Sequence, residues 1–253
     1  MNDGYEHPEN LSYLAYTSTN IPGPACPDEF FTTISGCDCC AKCQIESCTC
    51  IGTSFRLKES KKGCSSLCPC DLTCDNHCFD KGPIKGLEVF ESEKKGHGLK
   101  TRLKISKGEF VCEYAGEAIG QVEAERKFAL QRTGDSNYIF VLKEFYENKC
   151  ILTIVDPEAI GNIGRYINHS CEPNLCPVPV RTETAFPHIS FFSVRDIDEN
   201  EELTYSYGTQ EGKNSSKKKC YCGTKSCSDS YLMNCLFKNS VSFVFFLQIY
   251  FDL

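Results

Sequence analysis

The stretch that decides the fold lies in the second half of the chain and carries an Asn-His pair between glycines and a cysteine. It reads Gly161-Asn162-Ile163-Gly164-Arg165-Tyr166-Ile167-Asn168-His169-Ser170-Cys171-Glu172-Pro173-Asn174. Taken alone, an Asn-His pair usually caps a turn, and a Gly-x-Gly is usually only a turn. The stretch therefore takes its meaning from the motifs that precede and follow it.

The composition limits the class of protein. The chain has 253 residues, enough for one sizeable core or one core with small appendages, and no repeat of fixed period. The acidic, polar residues 1–6 predict no signal peptide. A formal net charge of −7 favours a basic polypeptide partner over direct strong binding to nucleic acid. The apolar stretch 241–253 is shorter than the roughly 20 residues of a spanning helix, so we expect a buried or aggregation-prone strand and no membrane partner.

Residues 87–208 have the texture of a β-rich α+β domain built from several small sheets. Short apolar runs broken by turn signals predict six strands, at 87–91, 109–114, 137–142, 150–155, 174–180 and 188–194. One amphipathic helix is predicted over 121–131, with Val122, Ala129 and Leu130 as its apolar residues. The other expected segments are a lead-in (1–34), a metal cluster (35–80), a polar linker (209–219), a second cysteine cluster (220–228) and a tail without assigned role (229–253).

Twenty cysteines make metal or disulfides the main question about the first third of the chain. Without a signal peptide, clustered thiols favour zinc over a disulfide framework. Gaps of one, three or four residues let the sulfurs converge in nine cysteines: Cys37, Cys39, Cys43, Cys48, Cys50, Cys64, Cys68, Cys70 and Cys74. Three tetrahedral zinc ions need twelve ligand positions, which nine thiolates fill if three sulfurs each bridge two metals. We therefore predict about three zinc ions here; Cys26, Cys40 and Cys78 lie close by and leave the choice of the nine open.

A third group of cysteines predicts one further zinc ion. Cys220, Cys222 and Cys227 supply three ligands, one short of a tetrahedral site. Cys171, at the end of the Asn168-His169-Ser170-Cys171 run, is our candidate for the fourth. The alternative is an isolated thiol trio in a mobile tail.

Four motifs, in this order and between two cysteine clusters, resemble the SET-domain lysine methyltransferases that carry pre-SET and post-SET zinc modules. They are Lys95-Gly96-His97-Gly98-Leu99, Glu113-Tyr114-Ala115-Gly116-Glu117, the stretch quoted first, and Glu202-Leu203-Thr204-Tyr205-Ser206-Tyr207-Gly208. The resemblance covers residues 35–228. It implies a SET fold of small sheets with a pseudoknot, flanked by the zinc clusters. It also implies histone-lysine N-methyltransferase activity with S-adenosylmethionine.

The resemblance assigns roles to individual residues. The cofactor-binding residues would be Gly96, His97, Gly98, Tyr138, Arg165, Asn168 and His169. The lysine channel would be formed by Tyr114, Tyr205 and Tyr207, with Tyr207 as the main catalytic tyrosine. A tyrosine at 205 predicts mainly mono- and dimethyl-lysine as products. The implied substrate is a histone H3 tail in chromatin, with the lysines at positions four and thirty-six favoured over position nine, and the implied location is the nucleus and chromosome.

Three positions depart from the family pattern. His97 replaces a usual Trp, Ser206 replaces a usual Asp, and Asp75-Asn76-His77 replaces Arg-Asn-Arg after Cys74. These departures favour an alternative reading as a catalytically weak, zinc-bound scaffold that binds chromatin proteins. The motif residues Tyr207, Asn168 and His169 favour the enzyme.

Overall fold

The computed structural model describes residues 15–39, 41–43, 48, 50, 61–71, 73–74, 76–77, 82–132, 137–146, 149–207 and 217–232. Fifteen strands run through this part of the chain. They are β1 (Ala15–Tyr16), β2 (Ile21–Pro22), β3 (Lys61–Lys62), β4 (Leu87–Ser92), β5 (Gly96–Thr101), β6 (Phe110–Glu113), β7 (Gly116–Ala118), β8 (Phe140–Tyr146), β9 (Lys149–Gly161), β10 (Asn168–His169), β11 (Leu175–Arg181), β12 (His188–Ser193), β13 (Glu202–Tyr205), β14 (Lys217–Lys219) and β15 (Ser230–Leu232). The α-helix α1 spans Gln121–Leu130, and short 3-10 helices span Asp28–Phe30 and Ile163–Tyr166.

The strands form small sheets, as the sequence predicts. One sheet has the order β1-β9-β7-β2 with β8 also paired to β9, and two four-stranded sheets have the orders β10-β13-β5-β4 and β3-β11-β12-β6. A two-stranded sheet joins β14 to β15. The sheets share one hydrophobic core, in which Leu99, Ile189, Phe191 and Leu203 are fully buried. The β-rich α+β prediction is confirmed.

Each of the six predicted strands is present, with shifted ends. The largest differences are in the hairpin of β8 and β9, where β8 begins at Phe140 and β9 continues to Gly161. The strands β5, β7, β10 and β13 were not predicted. Their sequences are the Gly-, Asn- and Tyr-containing motifs, which lack the alternation of a half-buried strand.

The predicted helix is present, but the apolar face assigned to it was wrong. Val122 and Leu130 are 75% and 66% exposed, and Ala129 is exposed as well. The helix instead buries Ala124 and packs Phe128 against the small cluster that contains Ile119 and Ile154. Ala124 and Phe128 are four residues apart and therefore share one face of the helix.

The ends of the described chain differ from the expected lead-in and linker. Part of the lead-in joins the main sheet, because β1 pairs with β9 and β2 pairs with β7, both in parallel. Residues 217–219, expected in the linker, form β14 and pair with β15 at the start of the expected tail. The stretches 1–14, 209–216 and 233–253 lie outside the described residues. Within the described residues, no helix has the length and apolar character needed to cross a bilayer.

Candidate active site and metal centres

The two central motifs lie side by side in the structure. Strand β10 pairs in parallel with β13, which places Asn168 opposite Thr204 and His169 opposite Tyr205. The next strand in the same sheet is β5, which carries the Gly96-His97-Gly98 motif. Three segments separated by up to about a hundred residues therefore meet in one sheet, and they are the segments that the expected pseudoknot joins.

The side chain of Asn168 in β10 is hydrogen-bonded to residues of β5 and β13. Its Nδ2 donates to the backbone oxygen of His97 at 3.2 Å and to Oε1 of Glu202 at 3.0 Å. The other carboxylate oxygen of Glu202 is ion-paired with Lys95. A Cβ on Gly98 would lie 3.0 Å from Asn168 Nδ2 and 2.7 Å from the Phe90 ring, so a larger residue there would press on the amide. This explains why the motif requires glycine at that position.

His169 connects the same motif to the tyrosine segment. Its Nδ1 accepts the backbone N–H of Tyr207 at 3.1 Å, and the two rings lie 5.4 Å apart. Burial and, in the same direction, the nearby charge of Lys95 hold the pKa of His169 below its usual value. Both effects favour the neutral imidazole, whose Nδ1 accepts that N–H.

A second buried amide fastens the Glu113–Ala115 segment to the central stretch. Asn162 is fully buried, and its Nδ2 donates to the backbone oxygen of Glu113 at 2.8 Å. Its Oδ1 accepts the N–H of Gly164 at 3.0 Å and that of Ala115 at 3.3 Å. Tyr114, in the middle of this segment, is thereby fixed relative to the Asn168-His169 pair. Asn162 lies within the central motif, but its sequence context alone indicated no role for it.

The three predicted channel tyrosines come together in one aromatic cluster. The rings of Tyr205 and Tyr207 are 4.7 Å apart, and Phe191 lies 4.9 Å from Tyr205. Phe140 stacks on Tyr205 at 5.6 Å and lies 5.1 Å from Tyr114. The two phenylalanines are neighbours that the sequence analysis did not identify; both fall in predicted strands, where an aromatic residue is indistinguishable from ordinary core.

The hydroxyl protons of two of these tyrosines are already used. Tyr207 donates its hydroxyl to the backbone oxygen of Ile167 at 3.0 Å, and Tyr114 donates to the backbone oxygen of Tyr138. Burial, followed by the influence of Tyr207, raises the pKa of Tyr114 well above its usual range. Since a hydroxyl has one proton and two lone pairs, both oxygens remain available only as acceptors. Acceptors suit a cationic or N–H-bearing group.

Tyr138 and Arg165 form a separate wall of the site. The Arg165 guanidinium lies 3.9 Å from the centroid of the Tyr138 ring, and both residues line a cavity of about 560 Å³. Arg165 Nη1 donates to the backbone oxygens of Pro157 and Glu158 at 2.7 and 3.1 Å. Its Nε is buried without a partner among the described residues. A buried, unpaired cationic donor beside a cavity fits a ligand with an anionic or acceptor end.

The first cysteine group has the donor set of a shared metal cluster. Three sets of four sulfurs have all members within 4.8 Å of one another: Cys37, Cys50, Cys64 and Cys68; Cys37, Cys39, Cys43 and Cys48; and Cys37, Cys43, Cys64 and Cys70. Cys74 is outside these sets, but its sulfur accepts the backbone N–H of Cys43 at 3.4 Å. No disulfide joins the described cysteines. Cys40 and Cys78 lie outside the described residues, and Cys26 packs against the main hydrophobic core instead.

The second cysteine group could also hold a metal ion. The sulfurs of Cys171, Cys220, Cys222 and Cys227 lie within 4.8 Å of one another. Beside it, the Ser226 hydroxyl and backbone N–H both donate to Glu172 Oε1, at 2.7 and 3.1 Å. These contacts dock residues 220–227 against the Asn168-His169 motif.

One thiol in each group is prepared to act as a thiolate. Burial raises the pKa of Cys222, but hydrogen bonds from the Thr224 hydroxyl and from backbone N–H groups lower it to about 5. In the first group, burial raises the pKa of Cys68, but hydrogen bonds from the backbone N–H groups of Ser65 and Cys37 outweigh burial and lower this pKa to about 6. Soft, converging thiolates of this kind fit zinc.

The three departures from the family pattern have different structural settings. His97 contacts Asn168 through its backbone oxygen, so the replaced side chain does not alter that bond. Ser206 is exposed. Asn76 Nδ2 donates to the sulfur of Cys64 at 3.2 Å, and His77 Nε2 lies 3.4 Å from the sulfur of Cys70. The Asn76-His77 pair therefore lines the first cysteine group.

The structure also shows residues that the sequence analysis missed. Lys95 and Glu202 lay inside quoted motifs without a role, and their partnership joins the ends of two distant segments. The signal was present as opposite charges in two motifs, but sequence alone does not pair them. Gly208, the last residue of the fourth motif, lies outside the described residues.

Comparison with known proteins agrees with this geometry. A family model described as SET domain matches residues 96–208. The mouse histone-lysine N-methyltransferase SETMAR is 39% identical over 243 residues, covering 84% of this chain and 79% of the relative. The motifs of this chain resemble those of the SET portion of SETMAR.

Solved structures give the same result. The methyltransferase domain of human SETMAR matches with a TM-score of 0.78 at 37% identity, covering 87% of this chain and 90% of that one. A structure of KRYPTONITE in complex with mCHH DNA, an H3(1–15) peptide and SAH matches with a TM-score of 0.65 at 28% identity, covering 87% of this chain and 48% of that one. The SET fold predicted from the sequence is confirmed.

Proposed function

The chain belongs to the SET-domain family of histone-lysine N-methyltransferases, and on that premise we propose that it methylates a lysine of the histone H3 tail. The enzyme class and its use of S-adenosylmethionine follow from the family. The H3 tail, with the lysines at positions four and thirty-six favoured over position nine, is the finer proposal. The net charge of −7 supports a basic tail as substrate.

The aromatic cluster of Tyr114, Tyr205 and Tyr207 is the observation that carries this proposal. Three tyrosines, backed by Phe140 and Phe191, provide aromatic faces suited to the aliphatic stem of a lysine. The hydroxyl oxygens of Tyr114 and Tyr207 are acceptors, because their protons bond to backbone oxygens. Acceptors and electron-rich rings favour an amine and the cationic reaction centre next to it.

The amine must lose its proton before it can react. A lysine with a pKa near 10.4 is only roughly 0.04% neutral at pH 7. Burial among aromatic rings disfavours the charged form, and a neighbouring cation disfavours it further. The tyrosine oxygens then orient the neutral amine by accepting its N–H groups, and the displaced proton leaves to solvent.

The residues proposed to hold the cofactor are Gly96, His97, Gly98, Tyr138, Arg165, Asn168 and His169. When bound, S-adenosylmethionine supplies a methyl group on a sulfonium. The orphaned Arg165 Nε beside the cavity supports the assignment, since it needs an acceptor that a carboxylate would provide. The exclusion of any side chain at Gly98 supports it as well, because it keeps backbone accessible at the meeting point of the motifs.

We propose about four zinc ions, three in the first group and one in the second. The three sulfur sets overlap in a way that supports this number. Cys37, Cys43 and Cys64 each belong to more than one set, so they are the natural bridging thiolates. The remaining six cysteines then supply two terminal ligands to each metal, if Cys74 takes the place of Cys37 in the set that holds Cys70.

The product is proposed to be mainly mono- and dimethyl-lysine. Tyr205 is 7% exposed and surrounded by Phe140, Phe191 and Tyr207, so its hydroxyl restricts a crowded space. A hydroxyl there can hold a water where a further methyl would have to sit, and displacing such a water weakens binding. Tyr205→Phe should therefore gain trimethylated product.

The proposal is tested by radiolabelled methyl transfer onto an array of H3 peptides, followed by mass spectrometry after exhaustive reaction. We expect label at the peptides around positions four or thirty-six and little trimethylation by the unmodified protein. The scaffold alternative predicts peptide binding without label. Label confined to position nine would overturn the favoured targets, and abundant trimethylation would overturn the role of Tyr205. A histone substrate would place the protein at chromatin in the nucleus.

A further inference from the structure

The hydrogen bonds of Asn168 fix which way its amide faces. Nδ2 bonds to a backbone carbonyl, that of His97, and to a carboxylate, that of Glu202. Both partners are acceptors only, so the amide nitrogen and not its oxygen must face them. An amide nitrogen has two protons, and both are now used. Oδ1 accepts no hydrogen bond from the described residues, which leaves it as the polar atom of this side chain available to a ligand.

Glu202 holds this arrangement in place from the neighbouring strand. One carboxylate oxygen accepts from Asn168 and the other is ion-paired with Lys95. Lys95 and Glu202 are largely buried, at 17% and 26% side-chain exposure. The ion pair fixes the carboxylate and compensates a lysine charge that would otherwise repel a cationic cofactor.

We propose that Glu202, fixed by Lys95, is a positioning residue that turns the Asn168 amide so that Oδ1 accepts an N–H of the cofactor. This inference rests on the proposed cofactor site. S-adenosylmethionine has two kinds of N–H donor, the α-ammonium of its amino-acid end and the exocyclic amine of its adenine. An amide oxygen recognises either donor and rejects a carboxylate.

The charge and shape of Glu202 predict how its replacement acts. In Glu202→Gln the new amide cannot offer acceptors to both Asn168 and Lys95, because one of its ends carries N–H groups. Lys95 loses its counter-charge in either orientation of the new amide, and in one of them Asn168 Nδ2 also loses its acceptor, so the Oδ1 orientation is no longer fixed. Loss of one charge-assisted hydrogen bond corresponds to a roughly tenfold weaker cofactor complex.

The test is calorimetry on the zinc-loaded full chain with S-adenosylhomocysteine and, separately, 5′-methylthioadenosine, which keeps the adenine but lacks the amino-acid end. Glu202→Gln should bind S-adenosylhomocysteine about tenfold more weakly, while kcat at saturating cofactor stays within about twofold of the unmodified protein. Equal weakening of both probes assigns the adenine amine as the donor. Weakening of S-adenosylhomocysteine alone assigns the α-ammonium.

Glu88→Gln is the matched control. Glu88 is also ion-paired with lysine and arginine, Lys100 and Arg102, on strands of the same sheet, but it does not contact Asn168. The control should bind both probes as the unmodified protein does. Unchanged affinity in Glu202→Gln, or a loss of kcat instead of affinity, overturns the positioning role. Failure of the unmodified protein to bind S-adenosylhomocysteine overturns the proposed cofactor site instead.

Discussion

The region of residues 37–77 and the region of residues 96–207 are stabilised by different means. The second has a hydrophobic core in which Leu99, Ile105, Ile189 and Leu203 are at most 1% exposed. In the first, the buried cluster consists of cysteines, and the described part contributes one two-residue strand. Nine thiols form the packed cluster of the first region, whereas aliphatic side chains form the core of the second.

The two regions therefore depend on different sources of folding free energy. Burial of apolar side chains stabilises the catalytic sheets by about 25 cal/mol per Å². Without metal, crowding keeps a thiol such as Cys39 protonated, because burial and neighbouring thiols raise its pKa to about 11. Zinc bound as proposed would replace those protons, so its binding energy would be folding energy for this region. Residues 220–227 resemble the first region because they form a cysteine group, although they contact the second region.

Metal removal should have the largest effect, and it should act on the first region alone. Structural zinc contributes on the order of 10–16 kcal/mol per site in small metal-dependent domains. Treatment with a strong chelator should therefore abolish amide protection in residues 61–77, while β5 and β12 keep theirs. Hydrogen exchange with mass spectrometry measures both regions in one experiment, and readdition of zinc should restore the first. Intact protection in residues 61–77 of metal-free protein would contradict the account.

A cavity in the hydrophobic core should destabilise the second region and leave the zinc content of the first unchanged. Leu99 is fully buried in β5, so Leu99→Ala is expected to lower the free energy of unfolding by about 2–5 kcal/mol. Urea denaturation gives this value. Elemental analysis of the folded variant should still find the full zinc content, and a loss of zinc from residues 37–74 would show that the two regions are not independent.

Cys171 joins residues 220–227 to the second region, so its replacement should affect both zinc content and cofactor binding. Cys171→Ser is expected to release about one zinc ion and to weaken S-adenosylmethionine binding by on the order of tenfold, because Cys171 lies two residues after His169. Cys150 is an exposed thiol in β9 and provides the control Cys150→Ser. Full activity and zinc content in Cys171→Ser would show that the fourth ligand is elsewhere.

The smallest effect is expected on the exposed face of α1. Val122 is 75% exposed, so Val122→Ala should change stability by no more than about 0.5 kcal/mol. Thermal denaturation of Val122→Ala and Leu99→Ala under the same conditions compares the exposed position with the buried one. A destabilisation comparable to that of Leu99→Ala would mean that Val122 is covered by a part of the chain outside the described residues.

The sequence predicted the elements that have a simple period and the metal ligands that have a simple spacing. The helix and the six apolar strands are present, and the sulfurs of the first cysteine group lie close together. Convergence of sulfurs over short gaps is a local property, so a linear pattern reveals it. The family motifs supplied the remaining site residues.

What the sequence did not predict is long-range partnership. The strands β5, β10 and β13 exist because each is paired with another motif, not because of their own alternation. The apolar face of α1 was misassigned because Val122 and Leu130 are apolar but have no neighbouring core to cover them. Glu202 and Lys95 are surface residue types whose pairing depends on the fold.

Paired measurements of cofactor binding and turnover on one set of variants test the central claim, that Asn168 and His169 hold the cofactor while Tyr207 acts on the amine. Asn168→Ala and His169→Ala should abolish S-adenosylmethionine binding in calorimetry. Tyr207→Phe should bind the cofactor nearly normally and lose turnover by on the order of a hundredfold or more, since the hydroxyl acts in the transition state. Near-normal turnover in Tyr207→Phe would contradict the account and reduce Tyr207 to a packing residue.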